Sequence, residues 1–129
     1  MLHLIHPALV HFSVALLVLG GVWEAVALLR ARDDAARFGG RLVLLGTLSL
    51  LPTLVTGYLA ANSVDLTPES APLLAAHENN GLFLLGVFVA CLFWKGWYRG
   101  EIPAGQRRLY ALLVLVGVAL AVYGALLGG

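Results

Sequence analysis

Histidines are the residues of this sequence whose type and spacing could most directly do chemistry. His3, His6 and His11 lie in the opening stretch, and His77 stands alone in the second half of the chain. Imidazole is the commonest metal ligand in proteins and a frequent axial ligand of haem iron. The sequence contains no pair of neighbouring cysteines, no zinc-protease motif and no phosphate-binding loop. The chemistry that it indicates is therefore binding of a metal or cofactor by imidazole.

Long apolar runs must position these histidines. Hydrophobic residues make up 60% of the 129 residues and charged residues 12%, about half the charged share of a soluble domain. A spanning helix needs roughly 20 mainly apolar residues. Three runs meet this length, and a fourth does so if the polar residues at its start meet the interface or the protein interior. We therefore expect one all-α domain, residues 1–129, folded as an integral membrane four-helix bundle with helices over residues 7–29, 42–61, 71–98 and 109–127.

Every lysine and arginine falls in one of two connecting regions. Four lie around the link between the first two helices and four around the link between the last two: Arg30, Arg32, Arg37, Arg41, Lys95, Arg99, Arg107 and Arg108. Basic links of membrane proteins remain in the cytoplasm. The partition therefore predicts that both termini lie on the periplasmic side of a bacterial inner membrane. The formal net charge of +1 gives no indication of a nucleic-acid partner.

His11 and His77 have nearly equal predicted depths. From His11 to Arg30 a helix rises about 28 Å, and from His77 to Lys95 about 27 Å. We expect the first and third helices to be neighbours, with both imidazoles facing inward. Two imidazoles at one level of a bundle are what a bis-histidine haem b requires.

Small residues near the same level would leave room for a flat macrocycle. Gly81 follows His77 by one turn, and Gly57 lies about 24 Å from Arg41. These positions predict a cofactor site formed by His11, His77, Gly81 and Gly57. Small residues also mediate helix packing in membranes, which is the simpler explanation of the glycines.

A zinc or copper site is the second hypothesis. Its ligands would be His6, His11 and His77, supplemented by Glu78 or Asp65, because three or four nitrogen and oxygen ligands suit these metals. His6 and His11 point roughly 140° apart if both are helical, so one continuous helix would not present them to the same ion.

The third hypothesis is an accessory subunit of a larger membrane complex without chemistry of its own. In that case His11 and His77 would make only interhelical hydrogen bonds. Under all three hypotheses His3 is expected at the surface. An enzyme acting alone is the least expected class. The small size, short loops and glycine-rich helices suit an accessory subunit. The partners that we expect are other membrane or periplasmic redox proteins, or further copies of this chain in a homo-oligomer.

Three further features lead to structural expectations. Glu24 is predicted to reach the interface or to pair with a nearby arginine. Gly39 and Gly40 are typical of a turn before the second helix. The single cysteine, Cys91, is predicted to fill space within an apolar helix.

Three segments resemble a known family: HPALVHF at residues 6–12, LVTGYLA at residues 54–60 and AAHENNGL at residues 75–82. They are similar to those of the bacterial membrane family catalogued as domain of unknown function 2231. The resemblance covers nearly the whole chain and implies four helices, with His6, His11 and His77 as the family histidines. Some relatives are joined to Rieske or cytochrome c modules, which implies electron transfer near the outer membrane surface. We therefore expect a small haem b redox protein or subunit whose electron-transfer partners are separate membrane or periplasmic proteins.

Overall fold

The chain forms four long α-helices. The computed structural model describes residues 2–128, and the side chains of residues 4–128. The helices are α1 (Leu2–Leu29), α2 (Asp33–Ala61), α3 (Ser70–Trp97) and α4 (Arg107–Gly128), and a short 3-10 turn, Ala104–Gln106, precedes α4. All four are long and apolar enough to cross a membrane. The predicted all-helical membrane fold is therefore confirmed.

Successive helices occupy neighbouring positions around the bundle. Helix α1 packs on α2 and α4, and α3 packs on α4 and α2. Among the described residues, the backbones of α1 and α3 make no close contact, so these two helices lie diagonally opposite each other. The prediction that they are neighbours is therefore wrong. Short links keep consecutive antiparallel helices adjacent, and this leaves the first and third on a diagonal.

The interior is apolar and the outer surface is apolar as well. Leu17, Phe88 and Val114 are completely buried, whereas Phe83 and Phe93 are 70% and 77% exposed. Large exposed hydrophobic side chains on every helix are what a lipid environment permits, because lipid chains are themselves apolar. The protein is therefore a membrane protein whose helices contact the bilayer.

Gly39 and Gly40 lie where α1 and α2 pack closely, and not in a turn before α2. Helix α2 begins at Asp33, so Gly39 and Gly40 lie inside a helix and the expectation of a turn there is wrong. A Cβ atom at Gly39 would lie 2.6 Å from the backbone nitrogen of Glu24. These glycines allow two backbones to approach, which is a common use of small residues in membrane helices.

The two ends of the bundle differ in charge. One end, here called the terminal end, holds the start of α1, the α2–α3 link and the end of α4. The other, here called the basic end, holds the α1–α2 and α3–α4 links and the adjoining helix ends, where all the lysines and arginines lie. All four histidines belong to the terminal end, so a site that uses imidazole would lie there.

Candidate functional site

A cavity of about 510 Å³ opens between the helices at the terminal end. We call it the terminal cavity. All four helices contribute to its mainly apolar lining, which includes His6, Val10, Ser13, Leu50, Thr53, Leu54, Gly57, Leu74, His77, Glu78, Asn80, Gly81, Leu84, Ala121 and Gly124. Its volume lies within the range of about 300–1,000 Å³ that is usual for small-molecule and cofactor sites.

His6 enters the cavity wall from α1 with a fixed orientation. Its Nδ1 atom lies 3.1 Å from the Thr53 carbonyl oxygen and 3.2 Å from the Thr56 hydroxyl. A carbonyl can only accept, so Nδ1–H donates to it and a neutral ring keeps its lone pair on Nε2. Metal-binding histidines almost always have their second nitrogen held in this way. The imidazole is therefore prepared to act as a ligand through Nε2.

Hydroxyl groups behind His6 join α1 to α2. The Ser13 hydroxyl lies 2.7 Å from that of Ser49 and 2.9 Å from that of Thr53. Ser13 and Thr53 are both buried. Thr53, whose carbonyl orients His6, is thus itself hydrogen-bonded to Ser13 of α1.

His77 reaches the same cavity from α3, the helix that lies diagonally opposite α1. It lines the cavity, and its Nδ1 atom is buried without a hydrogen-bond partner in the described part of the chain. A Cβ atom at Gly128 of α4 would lie 3.0 Å from its Cε1 atom. The end of α4 therefore confines the ring from one side.

Glycines leave space for these rings. A Cβ atom at Gly57 would lie 2.7 Å from the His6 Cε1 atom, and one at Gly124 would lie 2.5 Å from the Asn80 side-chain nitrogen. Asn80 is 7% exposed and donates to the Leu120 carbonyl at 2.9 Å. The structure thus places the predicted Gly57 and Gly81 on one cavity, together with Gly124.

His11 lies away from the cavity. Its ring is exposed, and its Nδ1 atom donates to the Pro7 carbonyl of its own helix at 2.7 Å. Helix α1 is continuous from Leu2, so His6 and His11 point in different directions. The structure brings His77 together with His6 and does not bring His11 to either of them. The His3 side chain lies outside the described residues.

The predicted trio of metal ligands is likewise not assembled. Within residues 4–128, no group of three or more histidine, cysteine, aspartate and glutamate side chains is positioned to hold an ion. Glu78 lines the terminal cavity, whereas Asp65 is exposed in the α2–α3 link.

Sequence reasoning missed the way in which hydroxyl groups fix His6. Ser49, Thr53 and Thr56 recur at spacings of four and three residues, which places them on one face of a helix. That spacing predicts a polar face on the second helix, but it does not show that His6 is the residue which that face contacts.

These features define a class: four-helix membrane proteins with an apolar, histidine-lined cavity between the helices. A family model described as "Predicted membrane protein (DUF2231)" matches residues 2–129. The chain belongs to this family, as the three sequence segments indicated. No curated protein and no solved structure matches the chain.

Proposed function

We propose that this protein is a small membrane redox protein or subunit that binds haem b in the terminal cavity, where His6 and His77 would hold the iron. One observation carries the proposal: two imidazoles from diagonally opposite helices line a single apolar cavity. The sequence suggests His11 and His77 as the pair of ligands. His6 takes the place of His11, because the His11 ring is exposed and hydrogen-bonded to the Pro7 carbonyl of its own helix.

The surroundings of the two rings support this assignment. His6 and His77 come from helices whose backbones make no close contact over residues 2–128, so direct helix packing does not fill the space between the two rings. The glycines of the cavity wall remove side chains from that space. Bound haem would supply one-electron transfer. The chain itself would orient the His6 ring through the Thr53 carbonyl and exclude water with its apolar lining.

The proposal includes an orientation and a location. All eight lysines and arginines lie at the basic end, so that end faces the cytoplasm and the haem lies towards the periplasmic face of a bacterial inner membrane. At that depth the cofactor would exchange electrons with other membrane or periplasmic redox proteins.

The experiment is absorption spectroscopy of the protein purified in mild detergent from haem-replete cells, with metal analysis of the same sample. We expect a sharp Soret band and about one haem per chain. His6→Ala and His77→Ala should each abolish most of the bound haem, because each removes an imidazole that would hold the iron in a partly dry site.

His11→Ala is the matched control and should retain the haem. A Soret band that disappears with His11→Ala but persists with His6→Ala would contradict the assignment of His6. A folded, colourless preparation that contains stoichiometric zinc or copper would support the metal hypothesis instead. A colourless, metal-free protein that copurifies with stoichiometric partners would support the accessory-subunit hypothesis.

A further inference from the structure

A second cavity, of about 260 Å³, lies at the basic end. We call it the basic cavity. Its charged lining comes from three helices and one link: Asp33 and Arg37 on α2, Lys95 on α3, Arg107 on α4 and Glu101 in the α3–α4 link. Three cations and two carboxylates give this lining a formal charge of 3 − 2 = +1. Nothing in the proposed haem chemistry uses these residues.

Arg107 lines this cavity and has one donor without an acceptor in the part of the chain that the structure describes. Its Nη2 atom donates to an Asp33 carboxylate oxygen at 3.2 Å. Its Nε atom is buried and has no acceptor among the described residues. Buried donors without a partner are rare in folded proteins, so this donor calls for an acceptor. A guanidinium edge binds planar or tetrahedral oxyanions through two parallel hydrogen bonds.

The other two cations retain donors as well. Lys95 pairs with Glu24, which does not line the cavity, and an ammonium group has three N–H donors. Arg37 pairs with Asp34, which is exposed and also lies outside the lining. Of the two carboxylates in the lining, Asp33 already accepts from Arg107, and Glu101 is exposed.

We infer that the basic cavity binds a phosphate group, with Arg107 as its principal ligand and Lys95 and Arg37 as further donors. A phospholipid of the adjoining leaflet and free inorganic phosphate share this chemistry. Basic pockets between membrane helices recognise lipid headgroups in this way, at the depth where such groups lie. The inference is independent of the haem proposal, because the two cavities lie at opposite ends of the bundle.

The test is the thermal unfolding of the detergent-purified protein titrated with three probes. They are short-chain phosphatidylglycerol, the diacylglycerol with the same chains, and inorganic phosphate. We expect phosphatidylglycerol to raise the melting temperature saturably and diacylglycerol to leave it unchanged. An equal rise with inorganic phosphate alone would support the site and identify free phosphate as the ligand.

Variants locate the effect. Arg107→Gln should weaken the apparent affinity about tenfold or more, which is the loss expected for one charge-assisted hydrogen bond. Arg108→Gln is the matched control, because Arg108 is adjacent, exposed and outside the lining. If Arg107→Gln does not fold, Arg37→Gln can be compared with Arg41→Gln instead, because Arg37 lines the cavity and Arg41 does not. Equal responses to phosphatidylglycerol and diacylglycerol, or wild-type affinity in the lining variants, would overturn the inference.

Discussion

Glu24 is a carboxylate buried at membrane depth, with 1% of its surface exposed. It pairs with Lys95 of α3, and its second oxygen accepts a hydrogen bond from the Tyr110 hydroxyl of α4 at 3.1 Å. The backbone of α2 passes beside it at Gly39 and Gly40. All four helices therefore meet at this one side chain, and its partner is a lysine rather than the arginine that we expected.

Lys95→Met should destabilise the protein by about 3–5 kcal/mol, because it leaves a buried carboxylate without its counter-charge. The double variant Glu24→Gln with Lys95→Met should recover most of this loss, since a neutral amide can still accept from Tyr110. Denaturant unfolding in a single detergent measures both. Arg99→Met, at an exposed position, is the control. A single variant as stable as wild type would show that the pair contributes nothing.

Gly57→Ala should displace the His6 ring, because the added Cβ atom would lie 2.7 Å from Cε1. The ring must move away from the Thr53 carbonyl, and we expect a loss of bound cofactor together with a cost of about 1–3 kcal/mol in stability. Absorbance and melting temperature of one preparation provide both values. Gly86→Ala is the control, because nothing lies within 4 Å of its added Cβ atom. Full occupancy by haem in Gly57→Ala would argue against His6 as the ligand.

Helices α1 and α2 form the closest pair in the bundle through a series of glycines. Gly20, Gly39 and Gly46 each lie where an added Cβ atom would meet the opposite helix at 2.6–2.8 Å. Serine and threonine hydroxyls join the same two helices nearer the terminal end. This closely packed helix pair therefore forms the His6 side of the terminal cavity.

Gly39→Ala should push α1 and α2 apart, because the added atom would meet the backbone of Glu24, which cannot rotate away. We expect a loss of about 1–3 kcal/mol, the usual cost of overpacking. Gly96→Ala, which meets nothing within 4 Å, should cost little or stabilise its helix. Parallel unfolding curves of the two variants test this. Equal stability of the two variants would show that α1 and α2 can separate enough to admit a methyl group at little cost.

The whole molecule is polarised along its length. The terminal end holds the apolar cavity with His6 and His77, and the basic end holds every lysine and arginine. The buried pair of Glu24 and Lys95 lies on the basic side of the bundle and joins the diagonal helices there. Each end of the protein thus presents a different chemistry to its side of the bilayer.

Reporter fusions test the orientation that this polarity predicts. An alkaline phosphatase fused after Gly129 should be active, and a fluorescent protein that matures only in the cytoplasm should be silent at the same position. The same reporters placed after Gly105, in the α3–α4 link, should give the reverse pattern. Cytoplasmic fluorescence from the C-terminal fusion would show that the topology is the reverse of the predicted one. The terminal cavity would then lie on the cytoplasmic side of the membrane.

The sequence by itself determined the fold class, and it predicted a histidine site at the end of the bundle that holds the termini. Hydrophobic run lengths are enough to predict spanning helices, because the thickness of the bilayer fixes the number of residues required. Depth could also be read along each helix, since every residue adds about 1.5 Å. For this reason His77, Gly57 and Gly81, chosen by depth and motif, all line one cavity.

Only the tertiary structure decided what lies across from each residue. Depth along a helix says nothing of rotation about its axis, and His6 and His11 differ by roughly 140° in rotation as well as by about 7.5 Å in depth. Depth paired His77 with His11, whereas His6 lines the cavity with His77 and His11 is exposed. The diagonal relation of α1 and α3, the lysine partner of Glu24 and the packing use of Gly39 all depend on which helix faces which. Apolar surfaces face both lipid and protein in a membrane bundle, and the hydrophobic pattern therefore cannot distinguish the two directions.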